Sequence, residues 1–179
     1  MTEPLDPSPI TLPLAGWTMR AWRESDVAQL ACIADDERIA AWMSDTWPHP
    51  YTEADAHWWV SEGQFAMGTS WALCQDDVAQ GGAGLHPQGG FQRCNVEVGW
   101  WLTPDCWGQD VVPAAARVLL ERSFADAAVH RVFAPIHAGN TRSMRVAEKI
   151  GMRLESVQPM SAYKRGRVIE RHLWASYRT

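Results

Sequence analysis

The chain has 179 residues, of which 46% are hydrophobic and 21% charged, and its formal net charge is -5. Such a length suits one folding unit with a sizeable core, and the composition lies far from the weakly hydrophobic, highly charged regime of disordered chains. The acidic balance argues against bulk binding of nucleic acid, while a local basic patch could still hold a small anion.

Residues 1–13, with Pro4, Pro7, Pro9 and Pro13, read as a proline-rich tail, and 14–179 as a single domain. The start lacks the apolar run of a secretory signal, and no stretch reaches the ~20 apolar residues of a membrane span, so a cytoplasmic protein without membrane contact is expected. Cys32, Cys74, Cys94 and Cys106 show no CxxC spacing, which favours free thiols over a zinc ribbon or redox pair. Most of the 11 tryptophans must be core, but so many suggest a pocket with aromatic walls.

In chain order, residues 16–22 alternate as a first strand, and Ser25-Asp26 offers an N-cap to a helix carrying Val27, Leu30 and Ile33. Residues 35–51 read as a short helix and a loop, and Thr52 caps a further helix to about Glu62; this helix pair is expected to form a lid. Extended segments at 69–75, 78–85 and 95–102, separated by Asp76-Asp77 and by Gly89-Gly90, predict an antiparallel meander. The longest helical pattern, 111–127, buries one face through Val111, Ala115 and Val118. A strand at 130–136, a helix at 140–150 stopped by Gly151, and strands at 152–157 and 168–177 around Lys164-Arg165-Gly166 complete the order β-α-α-β-β-β-α-β-α-β-β.

That order alone says only α/β. The run Asn95-Val96-Glu97-Val98-Gly99-Trp100-Trp101-Leu102-Thr103-Pro104 with Trp107-Gly108-Gln109, and the later Asn140-Thr141-Arg142-Ser143 with Glu148-Lys149-Ile150-Gly151-Met152, are more specific. Both motifs resemble those of the GNAT superfamily of acyltransferases, most closely the branch of ribosomal-protein N-terminal acetyltransferases. The resemblance implies an α+β GNAT fold: a mixed, mostly antiparallel sheet of about six to seven strands, splayed in the middle and flanked by about four helices. It implies transfer of an acyl group from a pantetheine thioester to an amine, without a metal. A V-shaped slot for the pantetheine arm is expected between the strands at 95–102 and 130–136.

A thioester is already activated, so the protein must place an amine, remove a proton, and supply donors for the oxyanion and the departing thiolate. Glu97 lies in an otherwise apolar strand, where burial raises a carboxylate's pKa toward the range of a general base; alternatively it pairs with a neighbouring cation or faces solvent. By resemblance, Asn140 holds the pantetheine arm and Ser143 donates to the thiolate, though Asn140 could simply cap its helix and Ser143 be a solvated first-turn residue. The resemblance also assigns donor contacts to Trp101, Leu102, Thr103, Trp107, Gly108 and Gln109. Arg142 and Arg145, with Lys149, would meet either the 3′-phosphate of coenzyme A or an acidic carrier surface.

The family's pyrophosphate loop has small residues where this chain has Asp110 and Val112, followed by Pro113. Asp110 is expected to cap the helix and occupy the amides that a pyrophosphate would take. The donor is therefore read as an acyl-CoA or as the acyl-phosphopantetheine of an acyl carrier protein. Trp42, Trp47, His49 and His86 are expected to wall the acceptor site, for a small-molecule amine or a peptide N-terminus. His57 follows Glu53 at helical spacing but has no third metal ligand. A catalytically silent binding protein of the same fold is the rival reading, disfavoured by the joint presence of Glu97, Asn140 and Ser143. The sequence leaves monomer and homodimer both open.

Overall fold

Strands β1 (Ile10–Thr11) and β2 (Trp17–Arg20) pair antiparallel around Gly16, whose φ of 76° suits glycine without strain. The computed structural model describes residues 8–66 and 68–178. Ile10 pairs with Met19, and Leu12 is buried, so the sheet takes up the proline-rich segment from Ile10 onward. The expected tail is thereby shortened, and its residues 1–7 lie outside the described residues.

Helix α1 (Val27–Ala34) is followed by the single turn α2 (Glu37–Ala40), capped by Asp36, whose side chain accepts from the Arg38 N–H. Thr52 caps α3 (Glu53–Trp58) in a reciprocal box with Asp55, as its spacing predicts. The helix then widens into a π segment (Trp59–Gly63) before α4 (Gln64–Ala66), instead of ending at 62. A Cβ at Gly63 would meet both the Trp58 and the Trp59 rings at 2.8 Å, so these rings leave room only for glycine there.

Strands β3 (Thr69–Gln75), β4 (Val78–Pro87) and β5 (Asn95–Leu102) form the meander. They are followed by α5 (Val111–Ala125), β6 (Arg131–His137), α6 (Thr141–Lys149), β7 (Arg153–Lys164) and β8 (Arg167–Tyr177). One sheet of eight strands results, ordered β1-β2-β3-β4-β5-β6-β8-β7, against the six to seven expected, the additional strand being β1 within the proline-rich segment. Strand β7 runs well past residue 157. It is an edge strand, mostly exposed on both faces, so it lacks the apolar alternation by which a half-buried strand is recognised.

Alternation along β5 sends Val96, Val98 and Leu102 into the core beneath α5, against Val111, Ala115 and Leu119. The other face of β3 and β4 carries Ala72, Cys74 and Ala79 against Leu30 of α1 and Ala56 of α3. Helix α3 is thus a core element and not part of a lid.

Among the described residues all strand pairs are antiparallel except β5 with β6, which pair parallel at Asn95–Arg131, Val96–Val132 and Glu97–Phe133 alone. Beyond that rung β5 stays on β4 as far as Leu102, while β6 stays on β8 as far as His137. The two strands diverge, and the sheet opens into the slot expected from the motif order.

Candidate active site

Because Val96 and Val98 point into the α5 core, Glu97, Gly99 and Trp101 face the opposite side of the sheet. In the same way Ala134, Ile136 and Trp174 pack beneath α5 and α6, which leaves Phe133, His137 and Arg171 on the face of Glu97. The slot between β5 and β6 connects the two faces through a cavity of about 930 Å³.

Glu97 sits at the last paired rung and lines this cavity, opposite His86 across the β4–β5 ladder. Burial pushes its carboxyl above the usual carboxylate range; the neighbouring His86 and Arg171 pull the other way, less strongly. Burial, reinforced by Lys164 and Arg171, pushes the His137 imidazole down, which keeps it neutral near pH 7, and Asp45 opposes this weakly.

At the α5–α6 end, Trp107 donates its indole N–H to the Leu102 carbonyl at 2.8 Å, and the Arg142 guanidinium stacks 4.3 Å from its ring centroid. Asn140 caps α6, its side-chain oxygen accepting from the Ser143 N–H at 3.2 Å; both residues line the cavity. Trp101, Leu102, Trp107, Gly108, Arg142 and Arg145 line it too. Two expected donor contacts do not. Thr103 is buried with its N–H on the Gln80 carbonyl at 2.8 Å, and the Gln109 side chain folds back to the Asp105 carbonyl at 3.3 Å.

Asp110 also departs from expectation. It is the N-cap of α5, but at φ 59° it is left-handed, and its side chain makes no cap hydrogen bond. Its carboxylate pairs instead with the Lys149 ammonium of α6. The left-handed backbone, which in most loops calls for glycine, swings the carboxylate off the helix axis, so the Asp110 side chain does not cap the first turn of α5. The self-supplied anion read from the sequence is not formed.

Of the four residues assigned to the acceptor wall, Trp42 and His86 line the cavity. Trp47 and His49 do not. The Trp47 ring packs edge-on to Trp101 at 5.2 Å and against Tyr51 at 5.1 Å, while Trp101 stacks on Trp22 at 6.3 Å. His49 is turned to two carboxylates, Asp35 at 3.1 Å and Glu37 at 3.2 Å. The sequence reading missed Arg38, Met43, His137, Tyr163 and Arg171, which complete the wall. A signal existed only for His137 and Arg171, ionisable residues on the same strand face as Glu97. Among the described residues no group of three or more His, Cys, Asp or Glu side chains could hold a metal ion, and no helix is long and apolar enough to cross a membrane.

Residues 17–153 match the family profile described as an acetyltransferase (GNAT) domain. The Bacillus subtilis protein named "Putative ribosomal N-acetyltransferase YdaF" is 26% identical over 140 residues, covering 75% of this chain and 76% of that protein. Among solved structures, Mycobacterium smegmatis RimJ in complex with CoA-disulfide superposes with a TM-score of 0.80 at 19% identity, covering 95% of this chain and 86% of that one. The microcin self-immunity acetyltransferase MccE, in complex with acetyl-CoA and AMP, gives a TM-score of 0.80 at 14% identity, covering 92% and 94%.

Proposed function

The chain belongs to the GNAT acetyltransferase family and is an acyltransferase, and from that premise we propose that it moves an acetyl group from acetyl-CoA to a primary amine, with Glu97 as the base. One observation carries this reading above the others. The half-buried Glu97 carboxyl stands where β5 and β6 part, inside a cavity that reaches from the N-terminus of α5 to the opposite face of the sheet.

The pantetheine arm would lie in the slot, along the unpaired edge of β5, with its amides in reach of free backbone groups beyond Glu97. Glu97, directly or through a water, takes a proton from the amine as its nitrogen bonds to the thioester carbonyl carbon. When the carbon–sulfur bond breaks, the electron pair leaves on sulfur, and Ser143 or solvent returns a proton to the thiolate.

Coenzyme A is favoured over a carrier protein because the objection to it has weakened. The Asp110 carboxylate faces Lys149, and the first turn of α5 carries no side-chain cap, which suits an anionic group. The relatives solved with CoA-disulfide and acetyl-CoA point the same way. The amine would belong to a small molecule or to a peptide N-terminus, the latter in keeping with the name of the B. subtilis relative. Calorimetric titration with acetyl-CoA, followed by thiol release with panels of small amines and short peptides, tests the proposal. Micromolar binding and amine-dependent release are expected. Absence of binding to acetyl-CoA, alongside binding of a phosphopantetheinylated carrier protein, would overturn the donor assignment; donor binding with no turnover on any amine would favour a silent binding protein.

A further inference from the structure

The acceptor face of the cavity holds a cation whose counter-charge is missing. Arg171 lies on β8 opposite His137, half-buried and lining the cavity on the same face as Glu97. Three other basic side chains from the elements around this face have carboxylate partners, Arg38 with Asp36, Lys164 with Asp45, and Arg165 with Glu37, while Arg142 and Arg145 line the donor end of the cavity. Among the described residues Arg171 forms no ion pair. Its one hydrogen bond is from Nε to the Ser161 hydroxyl oxygen at 3.3 Å.

That contact is built by an irregularity in β7. The β7–β8 register shifts between Gln158 and Ala162, Met160 takes a left-handed φ of 49°, and Ser161 donates its hydroxyl to the Gln158 carbonyl at 2.7 Å. The bulge thus presents the Ser161 oxygen to Arg171, fixing the guanidinium by its Nε edge and leaving both terminal amino groups for something else. A fixed, half-desolvated guanidinium fork matches a carboxylate, which it can bind through two parallel hydrogen bonds.

We propose that the acceptor amine carries a carboxylate, and that Arg171 binds it while Glu97 deprotonates the nitrogen. This rests on the reading of the cavity as the acetyl-transfer site. Charge balance supports it. The amine must be neutral when it attacks, Glu97 takes up the proton, and His137 is held neutral, so Arg171 would face the reaction without a counter-ion unless the acceptor supplies one. The rival role, Arg171 as a charge partner that only holds the Glu97 carboxyl down, predicts different kinetics.

The test compares matched acceptors that differ only in the carboxylate: leucine against leucinamide, and the C-terminally amidated dipeptides Ala-Asp against Ala-Asn. Wild-type kcat/KM is expected to favour the carboxylate member of at least one pair by about tenfold or more, although the amide has the less basic, more readily deprotonated amine. Preference within the first pair identifies a free amino acid, and within the second a peptide N-terminus. Arg171→Gln is expected to abolish the preference by raising KM for the carboxylate member while changing the amide member less than ~3-fold. Arg171→Lys keeps the charge and should retain part of the preference, and acetyl-CoA affinity should not change in either variant. Equal loss on both members with a displaced acid limb of the pH profile would overturn the proposal in favour of the charge-partner role. A wild-type preference for the amides would overturn it without any variant. If acetyl-CoA binds but no acceptor is acetylated, the acetyl-transfer reading fails first.

Discussion

Glu97 and Phe133 form the last paired rung between β5 and β6, so the carboxyl of Glu97 stands at the point where the sheet opens. A group there meets a thioester threaded through the slot and an amine arriving on the opposite face. Glu97→Gln should lower kcat/KM by ~10²–10⁴ while leaving acetyl-CoA affinity nearly unchanged. Wild-type turnover in that variant would remove Glu97 from the mechanism.

The pH dependence has a defined sign. Burial raises the Glu97 carboxyl, and the base works only when ionised, so activity should rise with pH through an acid limb above the ordinary carboxylate range, a limb absent from the residual rate of Glu97→Gln. Stability runs the other way. A carboxyl whose folded pKa exceeds its unfolded value contributes stability below the unfolded pKa and loses it as pH rises through the folded one. Glu97→Gln should therefore melt at or above the wild-type Tm near pH 7 and show a flatter stability profile above the carboxylate range. A lower Tm for the variant at neutral pH would contradict this.

What the sequence revealed of this site follows from which interactions are local. Glu97 was readable because one carboxylate interrupts an apolar strand, and Thr52 because a cap and its box partner lie within one turn. Asp110 was misread because capping depends on backbone φ: a left-handed residue sends its side chain to Lys149 on another helix, a contact that no local pattern encodes. Trp47 and His49 look like pocket residues in an irregular segment, but an aromatic cluster and two carboxylates hold them elsewhere. Arg171 lies in no motif, and its only signal is an ionisable side chain within a strand. Its place in the cavity comes from the β6–β8 register and from a bulge on the neighbouring strand.

The buried pair Arg20–Asp26 fixes the start of α1 against the β3–β4 turn. Arg20 donates to both Asp26 oxygens, at 2.7 and 2.9 Å, and through Nε to Asp77 at 2.7 Å; the Arg20 and Asp26 side chains are 4% and 7% exposed. Removing one member leaves the other charge buried without its partner. Asp26→Ala should destabilise by about 3–5 kcal/mol in urea denaturation. A change under ~1 kcal/mol would mean that Asp77 alone satisfies Arg20.

The loop after α2 is tied across the cavity mouth to the β7–β8 turn. Asp45 accepts from the Arg165 N–H at 3.1 Å and pairs with the Lys164 ammonium at 3.4 Å, while Trp42, Met43 and Ser44 of the same loop line the cavity. Asp45→Ala should loosen this strap: faster amide exchange in residues 42–47, a several-fold higher KM for the acceptor, and little change in kcat. Asp45 is 42% exposed but the Lys164 side chain only 11%, so removing the carboxylate leaves a largely buried ammonium, and global stability should fall by about 1–2 kcal/mol. Unchanged exchange and KM would show that the loop stays in place without this tether.

Donor binding at the start of α5 turns on Lys149. Its ammonium pairs with Asp110 beside the uncapped first turn of α5, with both side chains more than half exposed. If a pyrophosphate binds at that turn, the Asp110 carboxylate repels it, and Lys149 cancels most of the repulsion. One unscreened charge ~5 Å from a phosphate in a wet site is worth about 0.8 kcal/mol, roughly a fourfold change in Kd. Lys149→Ala should therefore weaken acetyl-CoA binding by about that factor, whereas Asp110→Gly should tighten it by a similar factor and relieve the left-handed backbone. Removing both should return Kd to near the wild-type value, the sum of two opposite charge effects at similar distance. Pantetheine lacks the pyrophosphate, so its affinity should be the same in all four proteins. Should Lys149→Ala weaken pantetheine as much as acetyl-CoA, the residue acts on the arm or on α6 itself, and the pyrophosphate does not lie at the start of α5.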